Sequence, residues 1–292
     1  MVKLIHTFSI VAYAPEKGEW GVAVQSKFLA AAAVVSWARA NAGAVATQSF
    51  ANVTYGLRGL DLMEEGISAE EAIRILTEND ENKDLRQIGL VDCQGRASAF
   101  TGEKCYEWAG HVVGDGFACQ GNILVPGTLE AMAAEFEKVR GKEGELADWL
   151  VLALEAGQAA GGDKRGRQAA GVLVVREGGG YGGDNDRYLD LRVDDDPSPI
   201  QKLKQLVDSH HLYFGDVDPE DLVPLNTVIQ ELQDILLNTG HLLGKARGRI
   251  DEKFLDALRA LVGEENLEER WNGDKESIDR KVVDYLRNKF GG

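Results

Sequence analysis

Thr7-Phe8-Ser9-Ile10-Val11-Ala12-Tyr13, a turn from Ala14 to Glu19, and Trp20-Gly21-Val22-Ala23-Val24-Gln25-Ser26-Lys27 form the stretch on which the fold turns. Its side chains alternate with period two and favour β-branched types, so the pattern is that of two strands joined by a turn. Thr7 heads the first strand, and Ser26 and Lys27 close the second. Opposed strand ends bring such residues across from each other.

Outward from this hairpin, Asn41 to Ser49 reads as a third strand of small side chains, which admit close packing. Leu57 to Glu65 and Ser68 to Glu78 read as helices divided by Gly66, with Ser68 and Glu71 as a capping box. Gln87 to Asp92 and Ala97 to Thr101 read as a hairpin, and a further strand ends in Phe117 to Asn122. Helices near Thr128 to Val139 and Glu145 to Ala160 precede strands at Ala169 to Arg176 and Tyr188 to Val193. Runs of strands and runs of helices indicate an α+β fold with antiparallel sheet. A helix from Ile200 to His211 closes this region, and the rest reads as a small all-α domain. The expected domains are residues 1–214 and 215–292.

Composition excludes several function classes. The formal charge is −16, from 48 acidic and 32 basic side chains, which argues against nucleic acid or an anionic membrane as partner. No stretch reaches the ~18 apolar residues of a membrane span. The apolar run after Lys3 is broken by His6, Thr7 and Ser9, so it reads as strand and not as a signal peptide. Cys93, Cys105 and Cys119 form an odd set without a close pair, as reduced thiols do. The expectation is a cytoplasmic protein. His210 and His211 are adjacent, which points them apart on a helix, and no metal-ligand spacing occurs, so no metal or cofactor is expected.

Four clusters bear on chemistry. Thr7 with Ser9, Ser26 and Lys27 is either a nucleophile with a lysine sharing its proton, or a strand residue beside a solvated charge. Thr47 to Asn52, with Gln48 and Asn52, offers amide donors for an oxyanion or a plain strand end. Cys119-Gln120-Gly121-Asn122 offers Asn122 as a neutral donor or a turn, with Cys119 as core. Gly157 to Gln168 places Asp163, Lys164, Arg165 and Arg167 on a glycine frame. Arginine forks hold carboxylates there, or the loop is a solvated one whose acid pairs internally. Asp186 and Arg187 add polar density further on.

Thr7-Phe8-Ser9-Ile10-Val11-Ala12, Gly21 to Val24, Gly43 to Gln48, Cys119 to Asn122 and Gly161 to Gln168 together resemble the domain-of-unknown-function family 1028, over Thr7 to Phe214. The resemblance implies the fold of N-terminal-nucleophile hydrolases, a four-layer αββα sandwich of two antiparallel sheets. It also implies amide-bond hydrolysis with Thr7 as nucleophile and its freed α-amine as base. That chemistry requires a cut at His6–Thr7, because Met1 to His6 precede the threonine. Lys27 falls where a partner sits in better-known members of that fold, with no second lysine on the third strand. Residues Asp218 to Phe290 resemble a peptidoglycan-binding-like domain, through Leu232-Gln233, Leu236 to Gly240, Ile250-Asp251 and Ile278-Asp279.

The resulting expectation is an amidohydrolase of a small anionic substrate. Thr7, Lys27 and Asn122 would be catalytic. Gln48, Asn52, Asp163, Arg165, Arg167, Asp186 and Arg187 would bind substrate. The alternative is a ligand-binding protein on the same fold, its tail serving as a glycan-binding or dimerisation module. A homo-oligomer is expected in either case.

Overall fold

The computed structural model describes residues 7–244 and 248–291; Met1 to His6, and with them the expected cut, lie outside these residues. Thr7–Ala14 (β1) and Glu19–Ser26 (β2) form the predicted hairpin, with Thr7 opposite Ser26. Ala32–Val35 (α1) leads into Ser36–Arg39 (β3), which pairs with the small-residue strand Gly43–Ser49 (β4). Helices Thr54–Glu64 (α2) and Ala69–Glu78 (α3) part at Gly66, whose φ of +87 suits glycine. The Ser68 hydroxyl caps α3 by accepting the Glu71 N–H at 3.3 Å.

Arg86–Asp92 (β5) and Ala97–Thr101 (β6) form one further hairpin, Gly110–Gly114 (β7) and Phe117–Gly121 (β8) another. Thr128–Val139 (α4) and Leu146–Ala159 (α5) precede Ala169–Val175 (β9) and Arg187–Val193 (β10), and Pro199–Phe214 (α6) follows. These strands make two antiparallel sheets, β10-β9-β2-β1-β8-β7 and β3-β4-β5-β6. The fold is mixed α/β with antiparallel sheets, as the runs of strands and helices predict.

Alternation along each strand divides the core. Phe8, Ile10, Ala12, Phe117, Cys119, Val172 and Val174 pack with residues of α4, α5 and α6. The opposite faces of the same strands supply Val11, Val22, Val24 and Ala118, which pack with Ala44, Ala46 and Val91 of the second sheet. Val45, Ile88 and Leu90 turn away from that layer and pack with Tyr55, Leu60, Met63, Ile73 and Leu76 of α2 and α3. Strand β9 lies between β10 and β2 with both faces buried, which is why its sequence is continuously apolar. The sequence reading missed the short strands β3, which has no β-branched residue, and β7, whose five residues are bounded by glycines.

The chain parts into two compact units between Val207 and Asp208. The second is helical, with Leu225–Asn238 (α7), Glu252–Glu264 (α8) and Arg280–Phe290 (α9) around Leu232, Leu236, Phe254, Leu258, Ile278 and Leu286. It is not purely α, as the sequence suggested, because Leu222–Pro224 (β11) and Ser277–Asp279 (β12) form a two-stranded antiparallel ladder. Segments of three residues carry too little pattern to be read as strands. Among the described residues, no helix is long and apolar enough to cross a membrane.

Candidate functional site

Thr7 and Ser9 share the face of β1 that carries Val11, so their side chains enter the space between the sheets. By the same alternation Ser26 follows Val24, Gln120 follows Ala118, Gln48 follows Ala46, and Gln87 shares a face with Val91. One end of the inter-sheet layer is therefore polar where the other is apolar. All of these residues and Asn122 are completely buried.

Their hydrogen bonds interlock. The Thr7 hydroxyl donates to Ser26 Oγ at 3.1 Å. Ser9 Oγ donates to Gln48 Oε1 at 2.7 Å and accepts from Gln120 Nε2 at 2.6 Å. Gln48 Nε2 reaches the Thr7 carbonyl at 3.5 Å, the Gln120 carbonyl at 3.2 Å and Gln87 Oε1 at 2.9 Å. Asn122 donates its backbone N–H to the Thr7 carbonyl at 3.0 Å and its Nδ2 to Gln87 Oε1 at 2.9 Å. Gln87 Nε2 in turn donates to Thr101 Oγ1, the Gly110 carbonyl and the Gly121 carbonyl, at 3.0, 3.1 and 2.8 Å. Burial of so many polar groups is tolerable because most of them satisfy one another, Gln120 Oε1 being a buried atom of the network left without a partner. Gly89 is part of this economy of space, since a Cβ there would lie 1.9 Å from Gln120 Oε1.

Two of the five non-glycine residues with positive φ among the described residues adjoin this end. Ser49 and Ile123 have φ of +65 and +55, and they directly follow the network residues Gln48 and Asn122. Non-glycine residues in this region cost about 1–3 kcal/mol each and cluster at functional sites.

The loop after α5 docks beside this end. The Asp163 carboxylate, fully buried, accepts the Lys27 backbone N–H at 3.2 Å, and Leu124 and Asp163 form a β-bridge. Lys164 N–H donates to the Ile123 carbonyl and Gln168 N–H to the Ser26 carbonyl, both at 3.0 Å. Residues from all four predicted clusters, Thr7, Gln48, Asn122 and Asp163, thus converge. Next to them lies an open cleft of about 660 Å³ lined by Lys164, Arg167, Gln158 and Gln201 among others.

Other predicted site residues fall elsewhere. Lys27 stands one position beyond Ser26 and is exposed, and its Nζ donates to the Arg167 carbonyl at 3.3 Å, away from the buried Thr7 hydroxyl. Arg165 does not face the cleft, because its guanidinium closes on Asp163 at 2.7 and 3.1 Å, the internal pairing the sequence left open. Asp186 and Arg187 sit at the opposite end of the large sheet. Arg187 pairs with Val175, which is opposite Trp20, whereas Ala169 is opposite Ser26. Strand pairing, invisible in the sequence, puts about six residues of rise between these positions and the network, on the order of 20 Å.

Asn52 belongs to a different cluster. Its Oδ1 accepts from Thr54 N–H and Oγ1 at 3.2 and 2.7 Å, shaping the start of α2, and its Nδ2 lies 3.4 Å from Asp80 Oδ2. Asp80 also accepts from Arg86 Nε at 2.8 Å and the Tyr55 hydroxyl at 2.7 Å. Burial alone would raise the Asp80 pKa, but bonds from Arg86, Tyr55 and the Asn82 amide hold it well below the usual carboxylate range. Its stabilisation is therefore fully present above the ordinary carboxylate pKa and is lost as pH falls through the depressed folded value. Asp80→Ala should cost about 3 kcal/mol by leaving Arg86 and Tyr55 without their acceptor. Urea unfolding at pH 7 and pH 3 checks both statements, the variant's deficit being smaller at pH 3.

The family described as "Family of unknown function (DUF1028)" matches residues 7–203. The chain belongs to this family. Its matched region opens on Thr7 and contains every residue of the buried network. The crystal structure of protein SPO2555 from Silicibacter pomeroyi, also of the DUF1028 family, is similar at 30% identity with a TM-score of 0.64. The similarity covers 72% of this chain and 88% of that one. A second family, "Putative peptidoglycan binding domain", matches residues 213–286. No curated protein matches the chain.

Sequence reading missed Gln87, which accepts two of the network's amide donors and supplies three donations of its own. In the sequence it is only one polar side chain on the same strand face as Gly89 and Val91, a pattern that does not show which partners it meets.

Proposed function

We propose that this DUF1028 protein is an amide-bond hydrolase of the N-terminal-nucleophile type, acting on a small anionic substrate. The observation that carries the reading is the placement of the Thr7 hydroxyl at the polar end of the inter-sheet layer, bonded to Ser26 Oγ at 3.1 Å. Two sheets face to face, each with helices on its outer side, read as the four layers αββα of that hydrolase fold.

Thr7 Oγ1 is the nucleophile. Ser26, Gln48, Gln87, Gln120 and Asn122 carry no group that takes a proton at neutral pH. The α-amine of Thr7, freed by a cut at His6–Thr7, is then the base. It takes the hydroxyl proton as Oγ1 bonds to the substrate carbonyl carbon and later gives it to the departing amine, and water releases the acyl group. Amide N–H groups of Asn122 and Gln48 are the neutral donors at hand for the oxyanion. Arg167 and Lys164, lining the cleft beside this end, hold the substrate's negative group, while Arg165 braces their loop through Asp163.

Small acidic amides incubated with the protein should release amine, and Thr7→Ala should lower that rate by about 10³-fold or more while leaving the unfolding midpoint within a few degrees. Equal rates in Thr7→Ala and the parent would overturn the assignment.

A further inference from the structure

Phe50 and Tyr106 meet edge to face, with ring centres 6.2 Å apart. Neither ring joins an apolar core of the described residues, and Tyr106 is 51% exposed. Both are tied to the Thr7 site through the backbone. Gln48 and Asn122 each bond the Thr7 carbonyl, and Phe50 lies two residues beyond Gln48, past the left-handed turn at Ser49. Two residues span at most about 7 Å of chain. The Tyr106 carbonyl accepts the N–H of Ile123, the residue after Asn122, at 3.0 Å. Phe50 is held in place as well, its N–H donating to the Leu85 carbonyl at 3.2 Å and its carbonyl accepting from Arg86 Nη1 at 2.5 Å. The same Ile123 offers its carbonyl to the Lys164 N–H at 3.0 Å, so one residue joins the aromatic pair to the loop that carries Lys164 and Arg167. In the cleft beside that loop the two acids are matched, Asp163 by Arg165 at 2.7 Å and Glu155 by Lys204 at 3.2 Å. The charges of Lys164 and Arg167 are left for a ligand.

We propose that Phe50 and Tyr106 determine the specificity of the Thr7 site and that its substrate is an amide with two unlike halves. An aromatic or other apolar group rests on these rings, an acid lies over Lys164 and Arg167, and the scissile bond spans the Thr7 end between them. Part-exposed rings on a fixed backbone give a ligand rigid apolar area at little cost in side-chain entropy. A cationic surface on the other side of Ile123 orients the ligand, so that neither half alone makes a good substrate. Water added across the bond gives one carboxylic acid and one amine, one product apolar and the other carrying the acid. The fate of the bond rests on the hydrolase reading, whereas recognition of the two halves does not.

Titration calorimetry of the full chain with two matched pairs of amides tests this, one pair for each direction of the bond. N-benzoylglycine is compared with N-acetylglycine, and N-phenylsuccinamate with N-methylsuccinamate. In at least one pair the phenyl compound should bind about tenfold or more tighter than its methyl counterpart. Tyr106→Ala should erase that ratio and Tyr106→Phe should keep it, whereas Arg167→Ala should weaken both members of the pair alike. Where amine is released, Tyr106→Ala should raise KM for the phenyl compound and leave kcat/KM for the methyl compound near the parent's. Equal affinities within both pairs, no binding of any of the four, a phenyl preference that survives Tyr106→Ala, or binding indifferent to Arg167→Ala overturns the inference. The expected affinities with no amine released in any form uphold it and count against the hydrolase reading alone.

Discussion

Gln87→Leu should destabilise the N-terminal unit by about 3–5 kcal/mol, although it replaces a polar side chain by an apolar one of similar size. Gln87 accepts from Gln48 Nε2 and Asn122 Nδ2 and donates to Thr101 and to the carbonyls of Gly110 and Gly121. Leucine would withdraw all five bonds at once, three of them fully buried. Each buried group deprived of a partner costs about 1–3 kcal/mol, and the survivors have few alternatives inside a closed layer. Urea unfolding followed by far-ultraviolet circular dichroism gives the number. A loss below about 1 kcal/mol would mean that the network closes without its hub.

In the helical unit, Arg270→Met should cost about 3–5 kcal/mol. Arg270 and Asp279 are almost wholly buried, and Nη1 donates to Asp279 Oδ2 at 2.7 Å. The guanidinium also donates to the carbonyls of His211 and Leu212, which ties the start of the unit to its third helix. Methionine fills much of the volume yet strands a buried carboxylate. Asp279 cannot simply be deleted with it, because Oδ1 caps α9 by accepting the Lys281 N–H at 2.8 Å. Adding Asp279→Asn keeps an acceptor there and removes the charge, so the double variant should recover about 1–2 kcal/mol of the loss. Fluorescence of Trp271, the one tryptophan after Val207, follows the unfolding of this unit. No recovery in the double variant would show that the lost carbonyl bonds, and not the stranded charge, carry the cost.

Local pattern made much of the fold legible. The β1–β2 hairpin, the division of α2 from α3 at Gly66, the Ser68 cap and the paired helices α4 and α5 all follow from period, turn and capping chemistry. Strand order was not legible, since the sequence of hairpins does not reveal that β9 pairs with β2 or that β1 lies beside β8. That gap explains the misplacement of Asp186 and Arg187, which are at the far end of a hairpin whose near end meets Ser26.

Site residues on the first hairpin were within reach, because placing Ser26 opposite Thr7 already sends Lys27 past the strand end. Gln87 was out of reach for a different reason. Its importance arises from partners 34 to 39 positions away in sequence, Gln48 on the neighbouring strand and Gly121 and Asn122 from the other sheet's side, and a single polar residue in a strand carries no hint of that. Asn52 misled because an amide at a strand end has the same local signature whether it serves an oxyanion or a helix start.

The Thr7 assignment turns on whether Thr7 becomes a chain terminus. Intact mass of the purified protein, followed during incubation at its working temperature, tests this directly. The hydrolase account predicts a species lighter by the mass of Met1 to His6, absent from a Thr7→Ala sample if the cut is self-catalysed. A full-length mass that stays constant, in a preparation that still binds small anions, would contradict the terminal nucleophile and leave a ligand-binding protein on this fold.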